Sequence, residues 1–235
     1  MKKQLKIWHI SDSHQFHHLL NIPQEPGLDT VIFTGDGSHN FNPYFNVGEM
    51  ENFLDWFEKL PFKNKIYVAG NHDTSIEKGL LTKSDFKNRG IIYLENDYTF
   101  INGFKIVGSP YTPFFGRQWA FTKSRNKMGG IWSKLLDSND IDIVAVHGPP
   151  KSILDLSDAS RKDVEQCGCK ALYNHVLRLN PYACLFGHIH NRKWFNNAGV
   201  LKLSNYKTQF SNGSVVTDAK FGKVTSHGNL LTINP

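Results

Sequence analysis

Five clusters of carboxylate, imidazole and amide side chains punctuate this 235-residue chain, and each follows directly on an apolar run. Asp12 and His14 come after the run 5–10, Asp36 after 30–34, and Asn71, His72 and Asp73 after 66–69. His147 ends the run 141–146, and His188 with His190 ends 182–186. Such groups are costly to bury without partners, so each cluster meets either solvent or something it binds. Imidazole nitrogens mixed with carboxylate and amide oxygens form a donor set suited to Mn, Fe or Zn. The members of Asp12/His14 and of His188/His190 lie two apart, so in an extended chain both side chains of a pair point the same way. Singly, an Asp-x-His arises by chance, and a lone histidine after a strand more often caps or hydrogen-bonds. Five such clusters in series point to a site.

The elements that must position these groups are legible as hydrophobic patterning. The apolar runs read as buried strands, and Met50, Phe53, Leu54, Phe57 and Leu60 recur at helical spacing over 47–60, closed by Pro61. Segments 98–101 and 104–107 flank Asn102-Gly103, a type I′ hairpin signal. Helices are expected over 130–136 and over 169–179, the latter stopped by Asn180-Pro181. A second Asn-Gly turn, Asn212-Gly213, is expected in the tail between β-rich segments. Strand–helix alternation followed by hairpins predicts one α/β domain over 1–235, with two packed sheets covered by helices on their outer faces.

Bulk properties narrow the function classes. Hydrophobic residues at 40% and aromatics at 13% supply a packed core and argue against disorder. No apolar stretch approaches the ~18 residues that span a bilayer, and the N-terminal segment lacks the apolar run of a signal peptide. Cys167, Cys169 and Cys184 are odd in number and wrongly spaced for a zinc knuckle. Reduced thiols and a cytoplasmic location are therefore expected, with no membrane partner. A net charge of +6 favours anionic partners, although the basic residues are dispersed.

The ordered series D-x-H, G-D, G-N-H-D, H-G and G-H-x-H, from Asp12 to His190, resembles the calcineurin-like metallophosphoesterase superfamily. The resemblance implies a four-layered αββα sandwich of two mixed sheets flanked by helices, with two divalent ions (Mn, Fe or Zn) at the strand ends. It assigns Asp12, His14, Asp36 and His190 to one ion, and Asp36 as a bridge to the second, completed by Asn71, His147 and His188. His72 is then no ligand but faces the leaving group as proton donor. The chemistry is coherent: two ions ~3.5–4 Å apart clamp a phosphoryl group and lower the pKa of a shared water. A neutral amide at Asn71 limits negative charge where an anion must enter, and Gly70 is read as letting the backbone turn tightly.

The stretch GSPYTPFFGRQWAF (108–121), with HGPP and GCKAL downstream, is similar to the brain metallophosphoesterase-domain proteins and the class III cyclic-nucleotide phosphodiesterases. That likeness implies hydrolysis of nucleotide-like phosphodiesters. Two departures stand out. The acid that orients the catalytic histidine in G-D-x-x-[D/E] is His39 here, leaving Asp73 as the candidate to assist His72, and the arginine of the phosphoprotein phosphatases is absent. A histidine at this place also resembles the Mre11-type nucleases, so nucleic acid stays open as a substrate. A catalytically silent scaffold is a third reading, disfavoured because every ligand is present. His39, Tyr111, Arg117 and Trp119 are candidate substrate contacts, and Phe114, Phe115 and Phe121 share the same aromatic loop, which can stack on a base or plug the core. Arg125 is a further candidate for attracting phosphate. His17 and His18 read as loop residues, and His9, His175 and His227 as structural.

Overall fold

The computed structural model describes residues 3–158, 163–217 and 223–235. In chain order its strands are β1 (Leu5–Ile10), β2 (Leu28–Phe33), β3 (Asn64–Tyr67), β4 (Ile92–Tyr93), β5 (Asp97–Ile101), β6 (Phe104–Ser109), β7 (Thr112–Pro113) and β8 (Thr122–Lys123). They continue with β9 (Ile143–Val146), β10 (Leu156–Ser157), β11 (Glu165–Gln166), β12 (Ala183–Phe186), β13 (Gly199–Lys202), β14 (Gln209–Asn212) and β15 (Asn229–Ile233). The helices are α1 (Pro43–Glu58), α2 (Thr74–Glu77), α3 (Lys83–Asn88), α4 (Arg125–Leu135) and α5 (Lys170–Leu179).

Two large mixed sheets carry the site. One runs β15-β1-β2-β3-β4, the other β13-β14-β12-β9-β6-β5. Strands β1 to β4 are parallel, as are β14, β12, β9 and β6; the antiparallel members β15, β13 and β5 lie at sheet edges. Because strand side chains alternate, each central strand feeds two cores. Ile7, Ile32, Ile66, Ile143, Ala145 and Leu185 fill the space between the sheets. Their neighbours Trp8, Val31, Phe33 and Tyr67 pack outward against Met50, Phe53 and Phe57 of α1 and Phe86 of α3. Val144, Val146 and Phe186 pack outward against Met128 and Trp132 of α4 and Leu172 and Val176 of α5. Helix, sheet, sheet and helix thus stack as the four αββα layers.

The element boundaries shift for identifiable reasons. Helix α1 begins at Pro43, four residues before the apolar periodicity, because Asn42 accepts from the Tyr44 N–H at 3.0 Å and Pro43 occupies the first turn. The early-turn aromatics Tyr44 and Phe45 are exposed and so fall outside the pattern. Helix α4 starts at Arg125, hidden in the sequence by Gly129-Gly130, whose Cβ positions are open space; each costs about 1 kcal/mol against alanine and is tolerated. Helix α5 ends as expected at Asn180, which adopts the left-handed conformation. The Asn102-Gly103 hairpin is also found, with both residues at positive φ.

The second Asn-Gly is a different object. Asn212 ends β14, which lies parallel to β12, and Gly213 accepts from the Ser11 N–H at 2.8 Å rather than reversing the chain. The bridge Ser11–Ser214 joins the two sheets at the carboxyl ends of their parallel strands. Every ligand-type cluster emerges at that end. No helix of the described residues is long and apolar enough to cross a membrane.

Candidate metal centre

Two groups of donors face each other across the seam between the sheets. Asp12, His14 and His190 bring one ligand-type atom each within 4.8 Å of one another, and Asp36, His147 and His188 do the same. Asp36 Oδ2 lies between the groups, 3.8 Å from His14 Nε2 and 3.4 Å from His147 Nε2. Asn71 Oδ1 is 2.9 Å from His147 Nε2. All seven residues expected to ligate are therefore brought together, from the ends of β1, β2, β3, β9 and β12.

Their local backbone is unusual. Asp12, His14, Asp36 and His188 all have positive φ, which costs of order 1–3 kcal/mol each for such residues. Dense cross-linking holds them there. Asp12 accepts from the His188 N–H at 3.0 and 2.8 Å to its two oxygens and from the Ser214 hydroxyl at 2.8 Å, and sits 3.1 Å from His190 Nε2. Asp36 Oδ1 accepts from the His72 N–H at 2.7 Å. Gly70 is required for room, not for a tight turn: a Cβ there would lie 2.2 Å from Asp36 Oδ1 and 2.7 Å from His147 Cε1. Gly187 is under the same constraint, with a Cβ falling 2.1 Å from Asp12 Oδ2.

The donor chemistry fits a cation. His147 Nδ1 is 2.7 Å from the Thr34 carbonyl, which only accepts, so Nδ1 carries the proton. Nε2 then faces Asn71 Oδ1 and Asp36 Oδ2, two oxygens that accept a proton from it in the cationic ring or share a cation with it in the neutral one. His14 repeats this, with Nδ1 3.2 Å from the Ser38 carbonyl and Nε2 facing His190 Nε2 at 3.3 Å. A proton on an inward nitrogen, or a cation between the groups, satisfies the oxygens that face them. The titration shifts agree in direction. Burial acts to lower His147, but the charges of Asp36 and Asp12 outweigh it and carry the ring up to about 9. Burial wins at His188, pushed down to about 3, and at His14, pushed well below the usual histidine range, helped by the neighbouring His147 and His72 respectively. Asp12 and Asp36 stay below the carboxylate range despite burial, held down mainly by His190 and by His147 respectively.

His72 stands beside the first group, its ring centroid 4.5 Å from that of His14. Its Nδ1 donates to the His39 carbonyl at 2.6 Å, which leaves Nε2 as the nitrogen available for proton transfer. The orientation of His72 therefore comes from the backbone of His39, whose ring also stacks on it at 5.5 Å. Asp73 does not assist, contrary to the sequence-based expectation. It is fully buried and accepts from the N–H groups of Asp36, Ser38 and Gly70 and the hydroxyls of Ser38 and Tyr67. Five donors occupy its oxygens. Its work is to fix the loops that carry Asp36 and Asn71, and burial together with the charge of Asp36 raises its pKa.

The aromatic loop divides between rim and core. Trp119 brings its ring 4.5 Å from His72, and Phe115 stacks on Trp119 at 5.8 Å and leans on His188 at 4.9 Å. Arg117 is exposed beside Trp119. Tyr111 is not at the site: partly buried just before β7, it packs on Phe121 and under Lys123 and contacts two apolar clusters. Arg125 also serves structure, its guanidinium donating to the carbonyls of Gly168 and Cys167. His9 bonds Ser211 and Thr34 behind the ligands, and His17 is buried against Phe53 and Trp56. Sequence reasoning missed Ser38, Tyr67 and Ser214, whose polar atoms hold Asp73 and Asp12. Only Ser38 carries a local signal, two residues from Asp36; the others meet their partners through tertiary contact.

Comparison with known proteins follows the same lines. Residues 5–192 match the calcineurin-like phosphoesterase family. Over 232 residues the chain is 29% identical to metallophosphoesterase domain-containing protein 1 of Homo sapiens and, equally, of Mus musculus, alignments covering 88% of this chain and 65% of each relative. The chain thus spans just under two thirds of the length of these curated relatives. A solved structure superposes with a TM-score of 0.65 at 15% identity, covering 89% of this chain and 90% of that one. The Thermus thermophilus protein TT1561 does so with a TM-score of 0.61 at 14% identity, covering 99% of both chains. At such identities these two likenesses concern the fold alone.

Proposed function

The chain belongs to the calcineurin-like phosphoesterase family, and from that premise we propose that it is a two-metal phosphodiesterase acting on nucleotide-like diesters. The observation that carries this reading is Asp36 Oδ2, which both donor groups approach, at 3.8 Å through His14 and 3.4 Å through His147. Asp12, His14 and His190 would hold one divalent ion and Asn71, His147 and His188 the other, with Asp36 shared; Mn, Fe and Zn all suit these donors. Once bound, such a pair supplies Lewis-acid polarisation of phosphoryl oxygens and a nucleophile at neutral pH.

The rest of the work falls to protein groups. His72, held through Nδ1, offers Nε2 to the leaving oxygen; with Nδ1–H committed to the His39 carbonyl, it donates from the cationic form. Phe115 and Trp119 wall the centre and exclude water from one side. Preference for a diester follows from charge. Where the phosphatases place an arginine for the extra phosphate charge, this chain has Asn40, whose side chain accepts from the Asn42 N–H before α1. The three free thiols suit a reducing cytoplasm.

The test is direct. Metal-reconstituted protein should show a higher kcat/KM on an aryl phosphodiester than on the matching monoester; the reverse order would overturn the diester assignment. His72→Ala should keep both ions while kcat falls about 10²–10⁴-fold on a poor leaving group and much less on nitrophenolate. Loss of metal in that variant, or equal losses on both substrates, would refute its role. A nuclease on the same centre is a second reading, favoured by His39 stacked on His72; single-stranded DNA in the same assay separates the two.

A further inference from the structure

Against Trp119, the ring that touches His72, a cavity of about 340 Å³ opens, within the usual ~300–1,000 Å³ of small-ligand sites. Its walls combine two chemistries, beside one carboxylate, Glu77, that accepts from the Phe121 N–H. Phe41 and Trp119 are aromatic, Phe41 with half its surface exposed, and Trp119 is the ring that touches His72. Lys78 and Arg117 are cations, both exposed, and neither forms an ion pair among the described residues. Asn42 and Pro43, at the positive end of the 16-residue helix α1, add to the same field. Thr74, only 5% exposed, lines the cavity, and its hydroxyl finds no hydrogen-bond partner among the described residues.

We propose that this cavity holds the departing half of the substrate, and that this half is a nucleotide: a flat base bearing its own phosphate. The inference rests on the phosphodiesterase reading and narrows it to linear diesters, since a cyclic nucleotide has no separate departing half. His72 decides the side. Its ring is 4.5 Å from that of His14 and 4.5 Å from that of Trp119, so an oxygen receiving its Nε2 proton leaves beside the wall that Trp119 gives the cavity. Aromatic walls suit a base of any identity, while Lys78 and Arg117 suit an anion. In the reaction a water oxygen bonds to phosphorus and the bond from phosphorus to the sugar oxygen breaks. That oxygen takes the His72 proton, and a proton released from the water restores His72. Diester and water give a monoester and a nucleotide with a free hydroxyl.

Three linear diesters that share the retained half and the leaving sugar oxygen test this on metal-reconstituted wild type. Their departing halves are an abasic sugar, a nucleoside, and a nucleoside with a terminal phosphate. Wild type should gain roughly tenfold in kcat/KM from the base and several-fold more from the phosphate. Phe41→Ala should shrink the first ratio and Lys78→Gln the second, each leaving the other ratio in place. Equal kcat/KM across the series, with an aryl diester still turned over, sinks this inference and spares the phosphodiesterase reading. No turnover of any diester overturns both.

Discussion

The floor of the site and its rim are built on opposite principles. On the floor, Asp12, Asp36 and Asp73 are all but fully buried, and Asp73 alone is held by five hydrogen bonds. Gly70 and Gly187 leave no space for one extra carbon. At the rim, Phe115 and Trp119 meet the centre through tilted ring contacts, and Phe41, Phe114 and Phe115 each keep about half their surface exposed. Charged donors in a low-dielectric setting must be fixed, because an unsatisfied or misplaced one costs several kcal/mol. Stacking is worth about 0.5–1.5 kcal/mol and tolerates displacement. On the proposed reading, reaction type is thereby separated from substrate choice. A change on the floor should abolish or destabilise, and a change at the rim should retune.

The largest effect is expected at Asp36→Ala. Without the shared carboxylate, bound metal should fall from two equivalents to well below one, and kcat/KM by at least about a thousandfold. Metal analysis beside an aryl-diester assay reads both. Chelated wild type should recover when Mn²⁺ is restored, whereas the variant should not; recovery of two ions in Asp36→Ala would remove it from the bridge.

Asp73→Asn should break the floor without touching a ligand. One acceptor oxygen becomes an amide facing N–H and O–H donors, and at least two donors lose their partner at about 1–3 kcal/mol each. Relief of repulsion from Asp36 offsets part of this, leaving roughly 2–4 kcal/mol. At about 2–4 °C per kcal/mol for a chain of this size, calorimetry should find Tm lowered by roughly 5–15 °C. An unchanged Tm would mean that the five bonds are not what fixes the loops.

Phe115→Ala should be the mildest. With a half-exposed ring removed from the rim, both ions should stay, Tm should move by less than about 2 °C, and KM should rise about two- to tenfold. Loss of metal in this variant would show that the rim supports His188 and would blur the separation.

The floor's donors were legible because their identities and order are local properties of the chain: a strand that ends in Asp-x-His or His-x-His presents its donors whatever the remainder does. The rim was only half legible. A run of aromatics announces a contact surface, but nothing in 108–121 distinguishes Tyr111, packed on Phe121 and the core, from Trp119, set against His72. Asp73 was misread for a related reason. A carboxylate adjacent in sequence to His72 looks like its orienting acid, yet its oxygens are claimed by Tyr67, Ser38 and Gly70.

By itself the sequence determined which donor groups stand at the strand ends, which runs become strands and helices, and that two sheets share a buried face, because side-chain type and periodicity act over a few residues. The tertiary structure alone decided that β14 crosses to meet β1 at the Ser11–Ser214 bridge, that the His39 carbonyl rather than Asp73 holds His72, and that a cavity with aromatic and cationic walls opens beside it. Each of these depends on segments tens to hundreds of residues apart. Their meeting is set by the packing of whole sheets, and no local pattern encodes it.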